Sequence, residues 1–248
     1  QSGPFADRDL RLAAAYATDL QGLNKELFDG FYEVAEGPFA DKSPWTNRGV
    51  PLPPYFPERA RQLVEDWKRE HGGKAPVVHF TVFDTSDEVP AAQRIAKGWT
   101  DAGFDVQVKI ADERGASLDL VSGTFEAITY RGWDRVDPDS MYHFWNGEMA
   151  AESGKISLNF ARYRSSVVDQ ALEIARGTAD PFTRTQQYQR VWDDFATNVP
   201  VIWLYHTRWL IAHKRNVRGI GEWRLPTGER AAPVVWGNLF LTGTWVTQ

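Results

Sequence analysis

Val77-Val78-His79-Phe80-Thr81-Val82-Phe83 and Phe104-Asp105-Val106-Gln107-Val108-Lys109-Ile110 decide how this chain folds. In the first stretch Val78, Phe80 and Val82 recur at every second residue, the period of a strand. In the second, Phe104, Val106, Val108 and Ile110 alternate with Asp105, Gln107 and Lys109, which predicts a half-buried strand. Between them Ala91, Ile95 and Trp99 are spaced for one face of a helix. A helical stretch from about Asp112 to Val121 follows, then an apolar strand from Phe125 to Tyr130. The order is β-α-β-α-β, and crossovers of this length join parallel strands. The expected fold class is therefore α/β, a mainly parallel sheet flanked by helices. In such sheets ligands sit beyond the carboxyl ends of the strands. Those ends are Asp84-Thr85, Ala111-Asp112 and Arg131-Gly132-Trp133-Asp134.

Working outward, Leu12, Ala13, Tyr16 and Leu20 predict a helix capped by Asp7. Gly22 is expected to interrupt it, with Leu23, Leu27 and Phe28 forming a second short helix that ends at Gly30. Pro51, Pro53 and Pro54 rule out regular structure before Pro57, which opens a helix carrying Ala60, Leu63, Val64 and Trp67. Gly72-Gly73 ends it. Beyond the sheet, Val167, Val168, Ala171, Leu172 and Ala175 mark one helix. Asp180-Pro181 starts another through Tyr188, Val191, Trp192 and Phe195, which Pro200 stops. Val201 to Tyr205 and Trp209 to Ala212 read as strands, and residues 216–248 show no assignable pattern.

The 248 residues are 42% hydrophobic and 25% charged, ordinary for a globular chain. Lys and Arg number 28 against 33 Asp and Glu, a net charge of −5 that argues against nucleic-acid binding. The absence of cysteine excludes disulfides, thiolate metal sites and a cysteine nucleophile. The longest apolar run, Val199 to Tyr205, falls far short of the ~18–20 residues of a membrane span. No signal peptide is visible, and a start at Gln1-Ser2-Gly3 suggests a chain cut from a longer protein. The 11 Trp fit either a binding surface or a Trp-rich core.

No strong catalytic motif is present. GxSxG and the P-loop are missing, and Gly219-Ile220-Gly221-Glu222 lacks the third glycine of a dinucleotide fingerprint. His71, His79, His143, His206 and His213 never pair at i,i+4, so no metal site is expected. Asp134, Asp137 and Asp139 lack the glycine and distal Glu of a calcium loop. As a glycosidase pair they would need to face each other across a cleft. Asp137, followed by Pro138, reads as a helix cap. Asp134 has no capping role. Beside Trp133 at a strand's carboxyl end, it is placed to meet a ligand cation with charge and aromatic face together.

Pro4-Phe5-Ala6-Asp7-Arg8-Asp9-Leu10-Arg11 and Ala14-Ala15-Tyr16-Ala17-Thr18-Asp19 open a series of familiar stretches. Phe28-Asp29-Gly30, Gly37-Pro38-Phe39 and Pro57 to Val64 continue it. Then come Trp99 to Val106, Tyr130-Arg131-Gly132-Trp133 with Asp137-Pro138-Asp139, Asn159 to Tyr163 with Val168-Asp169, and Asp180 to Arg184 with Tyr188 and Pro200-Val201-Ile202. In this order they resemble the bacterial extracellular solute-binding proteins for oligopeptides, dipeptides and nickel, family 5, and the likeness weakens beyond Asn216.

The resemblance implies one lobe of a two-lobed periplasmic-binding-protein-like fold, from the C-terminal half of a longer protein. Residues 1–200 would form the ligand-binding lobe, and residues 201–248 crossing strands and a tail. It also implies an extracytoplasmic protein, periplasmic or lipid-anchored, that hands its ligand to ABC permease subunits and catalyses nothing. No cofactor is implied. The family's ligand-facing loop falls on Arg131, Gly132, Trp133 and Asp134, where the aspartate after the Trp meets a peptide's α-ammonium group. This loop is shorter than usual before Asp137-Pro138. Asp84, Tyr142 and Trp145 complete the candidate ligand set. The expected ligand is an oligopeptide or dipeptide. Alternatives are an oligosaccharide stacked on Trp133, Trp145 and Trp203, a glycoside hydrolase using Asp134 and Asp137, and an interaction module that pairs with itself.

Overall fold

The computed structural model describes residues 3–40, 43–132, 137–208, 210–224, 228, 230–231, 234–235, 238–239 and 241–247. Two compact units divide the chain, Gln1–His206 and Thr207–Gln248. The first opens with helices α1 (Arg8–Tyr16) and α2 (Leu20–Phe28), short strand β1 (Glu33–Val34) and helix α3 (Pro57–Glu70). Asp7 caps α1 as expected. The break before α2 falls at Ala17–Asp19 rather than at Gly22. Asp19 caps α2 by accepting the Gly22 N–H at 2.9 Å, so this glycine starts the helix instead of interrupting it. A β-carbon at Gly22 would come within 2.1 Å of the capping carboxylate, so a larger residue there would require the Asp19 side chain to shift.

Strand β2 (Val77–Phe83) feeds helix α4 (Glu88–Asp101), strand β3 (Asp105–Ala111), helix α5 (Glu113–Ser122) and strand β4 (Ala127–Ile128). The three strands are parallel in the order β3-β2-β4. The β2–β3 register runs from Val77 opposite Asp105 to Phe83 opposite Ala111. On β4 only Ala127 and Ile128 pair, opposite Phe80 and Thr81, a shorter ladder than Phe125 to Tyr130 predicts. Central β2 buries Val78, Phe80 and Val82 on one face. On the other, Thr81 is also buried and its hydroxyl lies 3.4 Å from Asp119 on α5. Strand β3 corrects the sequence expectation. As an edge strand it leaves Val108 38% and Ile110 49% exposed, because alternation cannot say whether a neighbour covers the face.

One core cluster joins this sheet to α1, α3 and α4, with Leu10, Val64, Val78, Val82 and Trp99 at its heart. The Trp99 indole N–H reaches the Ala14 carbonyl and the Thr18 hydroxyl, each at 3.0 Å. A second cluster gathers helices α6 (Tyr142–Trp145), α7 (Ser166–Arg176) and α8 (Pro181–Asn198) around Tyr188 and Trp192. Asp180 caps α8 through the Thr183 N–H. Arg8 and Arg11 on α1 join the two clusters, their Nε groups donating to the Thr197 and Asn198 carbonyls at 2.9 and 2.8 Å. These are the orphan carbonyls at the end of α8.

Strand β5 (Tyr205–His206) pairs antiparallel with β1, which carries the first unit past residue 200. Residues 201–204 of the expected Val201 to Tyr205 strand are not strand, although the Leu204 carbonyl accepts the Ala35 N–H at 3.2 Å beside the β1–β5 pair. In the second unit β6 (Val217–Arg218) pairs with a later strand, Trp245–Val246. Trp209 lies outside the described residues, and Leu210 to Ala212 form no strand. Among the described residues no helix is long and apolar enough to cross a membrane.

Candidate functional site

The carboxyl ends of β2 and β4 are neighbours, although β3 and two helices separate these strands in sequence. The chain leaves β2 toward one side and returns as β4 on the other, a topological switch point of the kind at which α/β sheets bind ligands. After β2, the Asp84 N–H bonds the Ala111 carbonyl at 2.9 Å, which holds the β2 and β3 exits together. Thr85 then accepts the Glu88 N–H at 3.2 Å and starts α4.

Three side-chain contacts lace this loop to the one after β4. Thr129 donates to Glu88 at 2.7 Å. Arg131 Nη2 donates to Asp87 at 2.5 Å, and Arg131 Nε lies 3.8 Å from Glu88. The Glu88 side chain is 13% exposed against 54% for Arg131, so the carboxylate is the fixed partner and the guanidinium lies over it. Tyr130 is turned inward against Phe160, 5.5 Å between centroids, and burial pushes its phenol up to about 12. Tyr205 stacks on Tyr32 at 4.5 Å. Burial, with the Asp87 charge adding to it, pushes its phenol up to about 12.

Asp84, Arg131 and Gly132 therefore stand together at the end of the sheet. Asp84 is exposed, and a β-carbon on Gly132 would meet nothing within 4 Å. Trp133 and Asp134 lie outside the described residues. Where the description resumes, Asp137 accepts the Asp139 N–H at 2.9 Å and caps a short 3-10 turn, as Asp-Pro predicts. Arg184 from α8 donates to the same Asp137 carboxylate at 2.6 Å.

Tyr142 and Trp145 do not join this group. Both belong to the α6–α8 core. The Tyr142 hydroxyl donates to Glu173, and Arg176 lies 3.8 Å over its ring. Trp145 is 5% exposed and meets Phe195, Phe39 and Trp203 edge to face, so it has no open stacking face. Helix α6 turns both of these candidate ligand residues into the core. Asp87, Glu88 and Thr129 were not foreseen. Thr85-x-x-Glu88 directly after a strand was the available signal, a capping-box pattern that also fixes an acid at the strand's exit. Among the described residues no group of three or more His, Asp or Glu could hold a metal ion.

Residues 1–152 match the model described as "Bacterial extracellular solute-binding proteins, family 5 Middle". The chain belongs to this family. Protein XP55 of Streptomyces lividans is 26% identical over 220 residues, covering 82% of this chain and 40% of that protein. The glutathione-binding protein GsiB of Pectobacterium atrosepticum is 25% identical over 220 residues, covering 87% of this chain and 42% of its own. The chain thus spans about two fifths of the length of these curated family members. Among solved structures, the oligopeptide-binding protein AppA of Bacillus subtilis, in complex with a nonapeptide, superposes with a TM-score of 0.77 at 17% identity. That match covers 98% of this chain and 48% of AppA, and it shows the periplasmic-binding-protein-like fold. Family 5 consists of extracellular solute-binding proteins, a class that binds rather than transforms its ligands.

Proposed function

We propose that this chain forms the C-terminal part of an extracytoplasmic substrate-binding protein that takes peptides into a cleft and delivers them to an ABC permease. The observation that carries the reading is the switch point at the β2/β4 exits, with Arg131 laced to Asp87 and Glu88 directly before Gly132-Trp133-Asp134. Family membership and relatives named for glutathione or solved with a nonapeptide support a peptide ligand. In this reading Asp134 meets the ligand's amino terminus, Trp133 covers it, and Asp84, Arg131 and Gly132 shape the rim. The enclosed ring of Trp145 speaks against an oligosaccharide stacked on that residue.

Native mass spectrometry of the protein purified from its own host tests the proposal. A ladder of short peptide masses riding on the protein is the expected result. Hexose-spaced masses would overturn the peptide assignment.

A further inference from the structure

Strand β3 has one edge paired and one open. Asp105 donates its N–H to the Pro76 carbonyl at 3.0 Å, and the Ala111 carbonyl accepts from Asp84, so odd-numbered residues turn their backbone groups toward β2 and its flanks. By the alternation of a parallel ladder, the N–H and C=O groups of Val106, Val108 and Ile110 point away from it. No strand among the described residues meets them. The side chains are uncovered as well, with Val108 38% and Ile110 49% exposed on one face and Asp105, Gln107 and Lys109 exposed on the other. A long open edge with an apolar face is a template for another strand.

The charges on this edge name the strand that fits it. We infer that two copies of this chain join by antiparallel pairing of their β3 edges about a twofold axis at Gln107. In that register Gln107 faces Gln107, Val106 faces Val108, and Asp105 faces Lys109, the last two pairs occurring twice by symmetry. An axis at Val108 would set Asp105 against Ala111 and forfeit both ion pairs. An axis at Lys109 would set two ammonium groups together. An axis between residues would face outward-pointing backbone groups with inward-pointing ones. Lys109 already contacts Asp119 of its own chain at 2.6 Å, and an ammonium has three donors, so two remain for Asp105 of the second copy. Val106, Val108 and Ile110 of both copies would then form one apolar strip along a continuous six-stranded sheet.

The chain has no cysteine, so one substitution introduces one thiol. Under mild oxidation Gln107→Cys is expected to give a disulfide dimer. Residues facing across such a pair lie about 4.5 Å apart at Cα, within disulfide range. Val108→Cys, facing Val106, is expected to stay reduced and to give no covalent dimer. In sedimentation equilibrium, Asp105→Lys and Lys109→Glu should each weaken dimerisation by about tenfold or more. An equimolar mixture of the two variants should recover it as a heterodimer. The two substituted positions then face each other with opposite charges, and the remaining pair is the native Asp105 with Lys109. A folding defect would not be repaired by mixing. A parent chain that stays monomeric at about 100 μM, cross-linking at position 108 in preference to 107, or a mixture no tighter than its components would each overturn the inference.

Discussion

The Gly37 backbone lies so close to the Trp192 indole that a β-carbon there would sit only 2.2–2.5 Å from three atoms of its six-membered ring. Trp192 has no room to yield. It is 1% exposed, and its N–H is fixed on the Val50 carbonyl at 2.8 Å. Gly37→Ala is therefore expected to destabilise the chain by about 1–3 kcal/mol, the usual penalty of overpacking. Urea unfolding measures it. Adding Trp192→Phe should return part of the loss, and strictly additive effects would refute the contact.

Four phenols, Tyr188 buried and the other three half-buried, tie stability to alkaline pH. Burial pushes Tyr130, Tyr188 and Tyr205 up to about 12, and it raises Tyr163 further together with a 2.6 Å hydrogen bond to Asp194. The unfolded chain releases these protons near pH 10. A raised phenol contributes stability that is fully present below about pH 10 and is lost as pH rises through the folded value near 12. Absorbance at 295 nm should show several of the 8 tyrosines ionising together with unfolding rather than before it. Tyr163→Phe should flatten the fall in stability, and a single titration near pH 10 with the fold intact would contradict this.

Arg131 separates ligand binding from stability. Its ion pair with Asp87 is more than half exposed on the arginine side, so Arg131→Gln should cost less than about 1 kcal/mol of folding stability. If the laced loops shape the ligand site, the same variant should weaken peptide binding by about tenfold. Thermal unfolding and calorimetric titration of one sample give both numbers. A loss of stability with unchanged affinity would remove Arg131 from the rim.

Asp134→Ala tests the residue that the family resemblance assigns to the ligand's amino terminus. An ammonium left without its carboxylate should weaken binding by roughly two to three decades. N-acetylated peptides, which lack that charge, should be indifferent to the substitution. Equal affinities of the two proteins for a free-amine peptide would end the assignment.

The alternation of Val78, Phe80 and Val82, the helical spacing around Trp99 and the caps at Asp7 and Asp180 made the β-α-β-α-β order legible, because each is a local pattern with a local cause. The edge position of β3 was not legible. Val106, Val108 and Ile110 alternate in the same way whether or not a neighbour covers them. The core position of Tyr142 and Trp145 was not legible for a related reason, since an aromatic residue reads alike in a binding surface and in a core until the direction of α6 is known. Glu88 was passed over because an acid at a helix start reads as a cap, while its contact with Thr129 exists only once β4 lies beside β2.

The two ladders of the sheet differ in length, with seven residues of β2 paired to β3 and two residues of β4 paired to β2. Local opening free energies follow the number of bonds that must break together. Amide hydrogen exchange should accordingly be slow along Val78 to Val82 and fast at Ala127 and Ile128. The strand that leads into the proposed ligand loop is the one of the three whose detachment disturbs least. If that loop holds the ligand, adjusting it to a guest of different size would draw on this shallow local equilibrium and leave the deeply protected β2–β3 pair as the fixed reference.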